Sequence, residues 1–189
     1  MKVAGVDEAG RGALAGPVVA AAVILPSPQF SHPLLRDSKT LSPKQREKIF
    51  SILLKESIAI GIGMQGPQVI DTCNILQATL LAMEEAIETL HIMPEQIRVD
   101  GPHLPRTTGR VEACIHGDKM YPEIAAASII AKVVRDRLMN VLHILHPVYG
   151  WAENKGYGTP AHWEALDKWG ISTLHRLSFV SRRLKKGPY

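Results

Sequence analysis

Four acidic residues of this sequence follow short apolar segments that are typical of buried strands. The segments span residues 3–6, 97–99 and 111–115 and are rich in branched side chains. The acidic residues that follow them are Asp7, Glu8, Asp100 and Asp118. In an open α/β sheet, functional groups gather outside the carboxyl ends of parallel strands. If these strands are parallel neighbours, the carboxylates share one small volume.

Such a cluster of carboxylates is unfavourable unless cations neutralise it, because like charges at close range raise each other's pKa values. A ligand set made only of oxygen atoms suits Mg²⁺ or Mn²⁺ rather than zinc. Two ions about 3.5–4 Å apart can clamp a phosphoryl group between an attacking water and a leaving oxygen. The cluster therefore predicts phosphodiester hydrolysis. The alternative is that each carboxylate caps a turn or a helix, as Asp and Glu often do at strand ends.

The apolar and turn patterns predict the elements that must position these carboxylates. Segments 3–6 and 18–25 indicate two strands joined by a glycine-rich turn, and 57–64 indicates another strand. Ser42 to Gln45 combines a capping hydroxyl, a proline at the first helical position and a glutamine three residues after the cap. This motif predicts a helix over 43–56.

Further helices are predicted over 74–90, over 122–145 and from Thr159-Pro160 to a stop at Gly170. Strands followed by strands interleaved with helices imply an α/β domain, with a mixed sheet flanked by helices. The order of the strands in that sheet cannot be read from periodicity.

The length and composition are those of one compact domain. Hydrophobic residues make up 46% and charged residues 21% of the 189 positions, and no repeat or long linker divides the chain. We therefore predict a single catalytic domain over 1–189, with a helical C-terminal portion from about 160. The cysteines, Cys73 and Cys114, lack the spacing of zinc ligands and predict free thiols in a reducing compartment.

The charge balance is mildly basic, with 22 Lys and Arg against 18 Asp and Glu. This balance permits contact with a polyanion without requiring one. The basic stretch 182–186 is interpreted either as a solvated tail or as a phosphate-binding arm. The apolar run 18–25 is far shorter than the ~20 residues that span a bilayer, and the amino terminus lacks the features of a secretory signal. We expect a cytoplasmic monomer without membrane contact.

Several sequence blocks resemble a known family. Residues 5–18, GVDEAGRGALAGPV, resemble the long signature of the type 2 ribonuclease H family. Similar blocks follow in family order: DSKTL at 37–41, VDG at 99–101, GD at 117–118 with AAASIIAK at 125–132, and NKGYGT at 154–159. The resemblance thus covers most of the chain.

The resemblance implies a ribonuclease H-like fold, with a five-stranded mixed sheet flanked by helices, and a site for two Mg²⁺ or Mn²⁺ ions. By match to the family motif, the catalytic metal ligands are Asp7, Glu8, Asp100 and Asp118. The implied activity is an endonuclease that hydrolyses the RNA strand of RNA–DNA hybrids and nicks 5′ of ribonucleotides embedded in duplex DNA. It would leave 5′-phosphate and 3′-hydroxyl ends.

Two features refine this resemblance. An aspartate as the third ligand and the lack of an additional amino-terminal domain favour ribonuclease HII over its relative HIII. Ala13 departs from the proline that often follows Gly-Arg-Gly in the family, which affects the stiffness of a turn more than the chemistry.

The resemblance also implies substrate contacts. Gly10, Arg11 and Gly12 would contact the ribose 2′-hydroxyl near the scissile bond, although a bare Gly-x-Gly is more often a structural turn. Tyr157 would meet the deoxyribose that follows a ribonucleotide, although a lone tyrosine is more often a packing residue. Lys39 is expected at a backbone phosphate, with a solvated lysine as the alternative.

Other conspicuous residues receive structural interpretations. His143 and His146 are expected at the surface or at a helix cap, and Asp136 in local charge pairing. The tryptophans are expected in the core or between helices; they are Trp151, Trp163 and Trp169.

Two alternative functions stay open. A module that binds hybrid duplexes without cutting them would not need four convergent carboxylates. A metal-dependent phosphatase acting on small molecules would bind its substrate without a strong dependence on salt.

Overall fold

The computed structural model describes residues 1–27, 29–33, 35 and 41–184, with the backbone alone for 182–184. Its strands are β1 (Val3–Ala9), β2 (Val18–Ile24), β3 (Ala59–Gln65), β4 (Gln96–Asp100) and β5 (Val111–Cys114). They form a mixed sheet in the order β3-β2-β1-β4-β5. Strands β1, β4 and β5 are parallel neighbours, whereas β2 is antiparallel to β1 and β3.

Helices cover both faces of this sheet. They are α1 (Pro43–Glu56), α2 (Pro67–Glu88), α3 (Gly117–Met120), α4 (Pro122–Leu145), α5 (Trp151–Asn154), α6 (Pro160–Trp169) and α7 (Leu177–Leu184), with a 3₁₀ turn at Pro147–Tyr149. Helix α2 packs on one face, and α1 and α4 pack on the other. A separate cluster joins residues 14–15 to α5, α6 and α7. None of the described helices is long and apolar enough to cross a bilayer.

Glycines on the sheet allow the helices to approach it closely. A Cβ atom on Gly5 would lie 2.2 Å from the backbone carbonyl carbon of Glu123 in α4. A Cβ atom on Gly61 would lie 2.0 Å from the carbonyl oxygen of Ala86 in α2. Both contacts are with helix backbone, which cannot move aside cheaply. Because Gly5 lies two residues before Asp7, the start of α4 is held against the part of β1 that carries the predicted catalytic residues.

The predicted helices over 43–56 and 122–145 are confirmed at both ends, and the helix after Thr159 ends before Gly170 as predicted. The Ser42 hydroxyl accepts from the Gln45 amide, and the Gln45 side chain accepts from the Ser42 amide, which completes the predicted capping box. Strands β1, β4 and β5 are parallel neighbours, which meets the condition on which the clustering of the carboxylates depends.

The end of the first strand was predicted wrongly. Strand β1 continues through Ala9 because β2 supplies backbone partners as far as the Ala9–Val19 pair. Asp7 and Glu8 therefore lie inside the strand and not after it.

The helix predicted over 74–90 corresponds to the second helical run of α2, and the run that precedes it was not predicted. Helix α2 begins at Pro67, and the predicted start falls on a kink inside it, where Asn74 has φ 70°. The Asn74 Oδ1 atom accepts from the amides of Leu76 and Gln77, so this residue caps a second helical run.

The expectation that Trp169 lies in the core or between helices was wrong. Its side chain is 55% exposed, because it ends α6 on the outer surface with the Lys168 ammonium 5.0 Å from its ring centroid. Trp151 is fully buried as expected, and Trp163 packs on the C-terminal cluster. Asp136 forms its ion pair with Lys132, one helical turn away, at 2.8 Å.

The expectations for His146 and for the two cysteines are confirmed. His146 is the C-cap residue of α4. Cys73 and Cys114 are free thiols, half-buried and buried respectively. Residues 37–40, with Lys39, lie outside the described residues, as do Lys185 and Lys186 of the basic stretch.

Candidate active site

Asp7 and Glu8 lie side by side on β1, the central strand of the sheet. Strand β1 pairs in parallel with β4 up to the Val6–Val99 pair, so Asp7 and Asp100 lie one residue beyond the same rung. Asp7 is buried, and its Oδ1 atom accepts from the Glu8 amide at 2.7 Å. The two neighbouring strands thus bring three carboxylates to one end of the sheet.

The loop after β5 places Asp118 one residue after an amide that binds Asp100. His116 adopts a left-handed conformation with φ 58°, and the following amide of Gly117 donates to Asp100 Oδ1 at 2.7 Å. Asp118 comes next, in the first turn of α3, and is buried. The third parallel strand therefore leads to a further carboxylate at this end of the sheet. We call Asp7, Glu8, Asp100 and Asp118 the carboxylate corner.

The electrostatics at Asp7 and Glu8 are unfavourable for ionised carboxylates. Burial, followed by the negative charges of Glu8 and Asp100, raises the pKa of the Asp7 carboxyl well above its ordinary value. Burial also raises the pKa of Glu8, against the opposing effect of Arg11. The Arg11 Nη1 atom donates to Glu8 Oε1 at 3.2 Å. Arg11 therefore offsets part of the negative charge of Glu8.

The donor chemistry of the carboxylate corner fits a hard divalent cation. Carboxylate oxygens are the ligands that Mg²⁺ and Mn²⁺ favour, and a cation would relieve the repulsion that raises the pKa of Asp7. Among the described residues, no three His, Cys, Asp or Glu side chains are arranged as an assembled metal site. One oxygen each of Asp7 and Asp100 is engaged by a backbone amide.

A groove of about 280 Å³ opens beside Glu8. Its polar and glycine lining residues are Glu8, Gly10, Arg46, Ser128, Lys132 and Tyr157. Two of these side chains are cationic, so the groove offers positive charge next to the carboxylate corner. We call it the basic groove.

Tyr157 lies across the basic groove from the glycine-rich loop. It follows a tight turn in which Lys155 and Gly156 have φ 51° and 83°, and the Gly156 amide donates to Asn154 Oδ1 at 2.8 Å. The Tyr157 side chain is 36% exposed, and its Cε1 atom lies 4.0 Å from the position of a Cβ atom on Gly12. Two of the residues predicted to contact substrate, Gly12 and Tyr157, therefore lie next to each other.

The three residues of the Gly-Arg-Gly loop differ in exposure. Gly10 is buried and has φ 93°, a conformation that glycine adopts without strain. Arg11 and Gly12 are exposed. The backbone at Gly12 can therefore be approached closely by another molecule.

The sequence interpretation missed part of this site. Ser128 on α4 lies near the Asp7 carboxylate and partly offsets the rise in its pKa, and Lys132 lies one turn further along the groove. Their four-residue spacing within an alanine-rich apolar helix is the signal that could have identified them. Arg46 lies on α1, and no local pattern distinguishes it from the other basic residues of that helix.

The five-stranded mixed sheet and its flanking helices form a ribonuclease H-like fold. The family model described as Ribonuclease HII matches residues 4–182. A curated ribonuclease HII of Syntrophus aciditrophicus is 49% identical over 183 residues, which cover 97% of this chain and 86% of the relative. The chain belongs to the ribonuclease HII family, and it is thus a metal-dependent endoribonuclease acting on the RNA strand of RNA–DNA hybrids.

Solved structures of a ribonuclease HII and a ribonuclease HIII are similar in fold to this chain. The ribonuclease HII of Archaeoglobus fulgidus, in the structure of its complex with PCNA, is 30% identical with a TM-score of 0.79 and covers 94% of both chains. A Bst ribonuclease HIII in complex with Mn²⁺ is 20% identical with a TM-score of 0.70, covers 97% of this chain and 68% of that chain, and shows the fold alone.

Proposed function

We propose that this enzyme also nicks duplex DNA on the 5′ side of a single embedded ribonucleotide and leaves 5′-phosphate and 3′-hydroxyl ends. The observation that carries the proposal is the position of the Gly10–Gly12 loop, which follows Asp7 and Glu8 directly and faces Tyr157 across the basic groove. The loop that would recognise a single ribose thus lies directly beside the acidic residues.

The proposed metal ligands are Asp7, Glu8, Asp100 and Asp118, which would hold two Mg²⁺ or Mn²⁺ ions. Such ions supply positive charge to the phosphoryl group and lower the pKa of an attacking water. The all-oxygen donor set and the raised pKa of Asp7 support this assignment. The Mn²⁺ complex of the related ribonuclease HIII is consistent with it.

The protein's own contribution is to orient these carboxylates. The Glu8 amide holds Asp7, and the Gly117 amide holds Asp100. Arg11 holds Glu8 through its guanidinium and also provides positive charge at the edge of the site. Since Asp7, Glu8 and Asp100 each have a fixed partner, little reorganisation of these three carboxylates is needed when substrate binds.

Recognition of the ribonucleotide is assigned to the backbone of Gly10–Gly12 and to Tyr157. The 2′-hydroxyl is the group that distinguishes RNA from DNA, and the exposed backbone at Gly12 can contact it without steric obstruction. Tyr157 presents a partly exposed ring to the next deoxyribose. Arg46 and Lys132 are suited to backbone phosphates in the basic groove. Lys39, the monomeric state and the cytoplasmic location stay predictions from the sequence.

A duplex with one ribonucleotide tests this function. Incubated with Mg²⁺ or Mn²⁺, it should be cut once, on the 5′ side of the ribonucleotide, and a chelator should abolish the cut. End labelling should identify a 3′-hydroxyl and a 5′-phosphate. Equal cutting of the matched all-DNA duplex would overturn the proposed specificity.

A further inference from the structure

Two arginines of the described chain are fully buried without an acidic partner. Arg135 on α4 and Arg176, just before α7, are both 0% exposed. No described carboxylate forms an ion pair with either guanidinium. Burial lowers the pKa of Arg135, and burial with the nearby charge of Arg135 lowers the pKa of Arg176 to about 9. A buried charge is costly unless hydrogen bonds compensate it. The hydrogen-bond partners of these two guanidinium groups therefore indicate their role.

Their hydrogen bonds go to carbonyl oxygens of the loop that carries the Gly-Arg-Gly motif. Arg176 donates from Nε to the Gly16 carbonyl at 3.0 Å and from Nη1 to the Arg11 carbonyl at 2.9 Å. Arg135 donates from Nε to the Pro17 carbonyl at 2.9 Å and from Nη2 to the Ala15 carbonyl at 3.2 Å. Both ends of the segment 11–17 are therefore fixed by guanidinium groups.

Arg135 also reaches the loop of Tyr157. Its Nη1 atom donates to the Lys155 carbonyl at 2.9 Å, and its Cζ atom lies 5.3 Å from the centroid of the Tyr157 ring. On the other side, a Cβ atom on Gly10 would lie 1.9 Å from Arg135 Nε. One guanidinium thus lies between the glycine-rich loop and the tyrosine.

A lysine cannot replace this arrangement. The planar guanidinium presents a rigid fork of donors, whereas an ammonium group is a single point on a flexible chain. One nitrogen atom cannot span the carbonyls of Ala15, Pro17 and Lys155, which Arg135 reaches with three separate nitrogens. An Arg-to-Lys change therefore keeps the positive charge but loses the simultaneous hydrogen bonds to three carbonyl groups.

We propose that Arg135 and Arg176 are positioning residues for ribonucleotide recognition. Arg176 and Arg135 together hold the 11–17 backbone, and Arg135 joins it to the Tyr157 loop, so that the two sugar contacts move as one unit. The inference rests on the proposed function, because it takes Gly10–Gly12 and Tyr157 as the substrate contacts.

The first test compares Arg135→Lys and Arg176→Lys with Arg137→Lys, an exposed position on the same helix whose guanidinium pairs with Glu47. On the duplex with one ribonucleotide, each buried variant should lower kcat by about tenfold or more, because small misplacement near the reacting atoms is costly. KM should change by less than about threefold, since phosphate contacts dominate binding. Arg137→Lys should stay near the wild type in both constants.

A double-mutant comparison separates positioning from general destabilisation. Tyr157→Ala combined with Arg135→Lys should lose at least about threefold less activity than the product of the single losses, because both changes disturb the same contact. Hydrogen exchange should rise together in segments 10–17 and 154–158 of Arg135→Lys. Activity losses that simply multiply in the double variant, or hydrogen exchange that does not change in these segments, would each contradict the proposal. Failure of both lysine variants to fold would also contradict it, because the guanidinium groups would then serve stability.

The two proposals can fail separately. A wild-type enzyme that does not distinguish the ribonucleotide duplex from all-DNA duplex would overturn the proposed function itself. If the wild type discriminates and Tyr157→Ala impairs it while both lysine variants keep wild-type kcat, only the positioning role is wrong.

Discussion

Asp7 lies where the fold is least favourable to a negative charge. Its carboxylate is buried next to Glu8 and Asp100, and its pKa is raised well above the ordinary value. A carboxyl group with a raised pKa stabilises the folded state when protonated, and this stability is lost as the pH rises through the folded-state pKa. At neutral pH, without divalent cations, ionised Asp7 therefore lowers the free energy of unfolding.

Asp7→Asn should consequently stabilise the metal-free protein, because asparagine resembles the protonated carboxyl. In chelator at pH 7, we expect Tm to rise by about 2–4 °C, the shift that roughly 1 kcal/mol gives in a chain of this length. Added Mg²⁺ or Mn²⁺ should raise the Tm of the wild type more than that of the variant. Asp167→Asn, on the exposed side of α6, is the control and should not shift Tm. A lower Tm for Asp7→Asn in chelator would contradict the repulsion inferred here.

Gly5 and Gly12 should separate stability from activity. Gly5→Ala should lower the free energy of unfolding by about 1–3 kcal/mol or more, because its Cβ atom would overlap the backbone of Glu123. Gly12→Ala meets only the Tyr157 ring at 4.0 Å and should leave unfolding nearly unchanged, while cleavage at a single ribonucleotide falls. Denaturant unfolding and the nicking assay on both variants check this. Full activity of a folded Gly12→Ala enzyme would remove the loop from substrate recognition.

A neutral histidine pair connects the C-terminal elements to the Tyr157 loop. His162 on α6 lies with Nδ1 2.9 Å from the Tyr157 carbonyl, and its Nε2 accepts from Trp151 Nε1 at 3.1 Å. The His175 Nε2 lies 3.1 Å from His162 Nε2, and Ser172 donates its amide to His175 Nδ1 at 3.0 Å. With the proton of His162 on Nδ1 and that of His175 on Nε2, His162 donates to the Tyr157 carbonyl. Its Nε2 lone pair is then shared between the N–H groups of Trp151 and His175.

This pair should make the fold sensitive to acid. Burial, followed by the charge of His162, lowers the pKa of His175 to about 4, and burial lowers that of His162. Because the folded-state pKa lies below the unfolded value, stability is present above about pH 6.5 and is lost as the pH falls toward 4. We expect the wild type to lose about 1–2 kcal/mol between pH 7 and pH 5 through His175. Denaturant unfolding should show a smaller loss for His175→Gln and the full loss for His91→Gln, whose position is exposed; equal losses in all proteins would exclude the pair as the cause.

Helices whose ends depend on local chemistry could be predicted from the sequence. The capping box at Ser42 and the Thr159 cap with Pro160 fixed the starts of α1 and α6. The end of β1 could not be predicted, because it depends on pairing with β2, a contact between distant residues. For the same reason the burial of Arg135 and Arg176 could not be predicted, because it depends on carbonyl groups more than 100 residues away along the chain.

The carboxylates of the site could be predicted because each one comes shortly after a short apolar segment of the sequence. The sheet then places β1, β4 and β5 side by side and in parallel. The basic groove was not predicted, since it combines side chains from α1, α4 and two loops. The C-terminal helices contribute to the site indirectly. They pack with Leu14 and Ala15 in one cluster, beside the loop that Arg135 and Arg176 hold.

Cleavage by Asp7→Asn is the most direct measurement of whether the carboxylate corner performs the chemistry. With Mg²⁺ and a duplex containing one ribonucleotide, the variant should lose cleavage by about a thousandfold or more while binding the duplex with nearly unchanged affinity, since phosphate contacts dominate binding. Asp167→Asn should cut like the wild type. Wild-type cleavage by a folded Asp7→Asn protein would contradict the account and place the reaction elsewhere on the molecule.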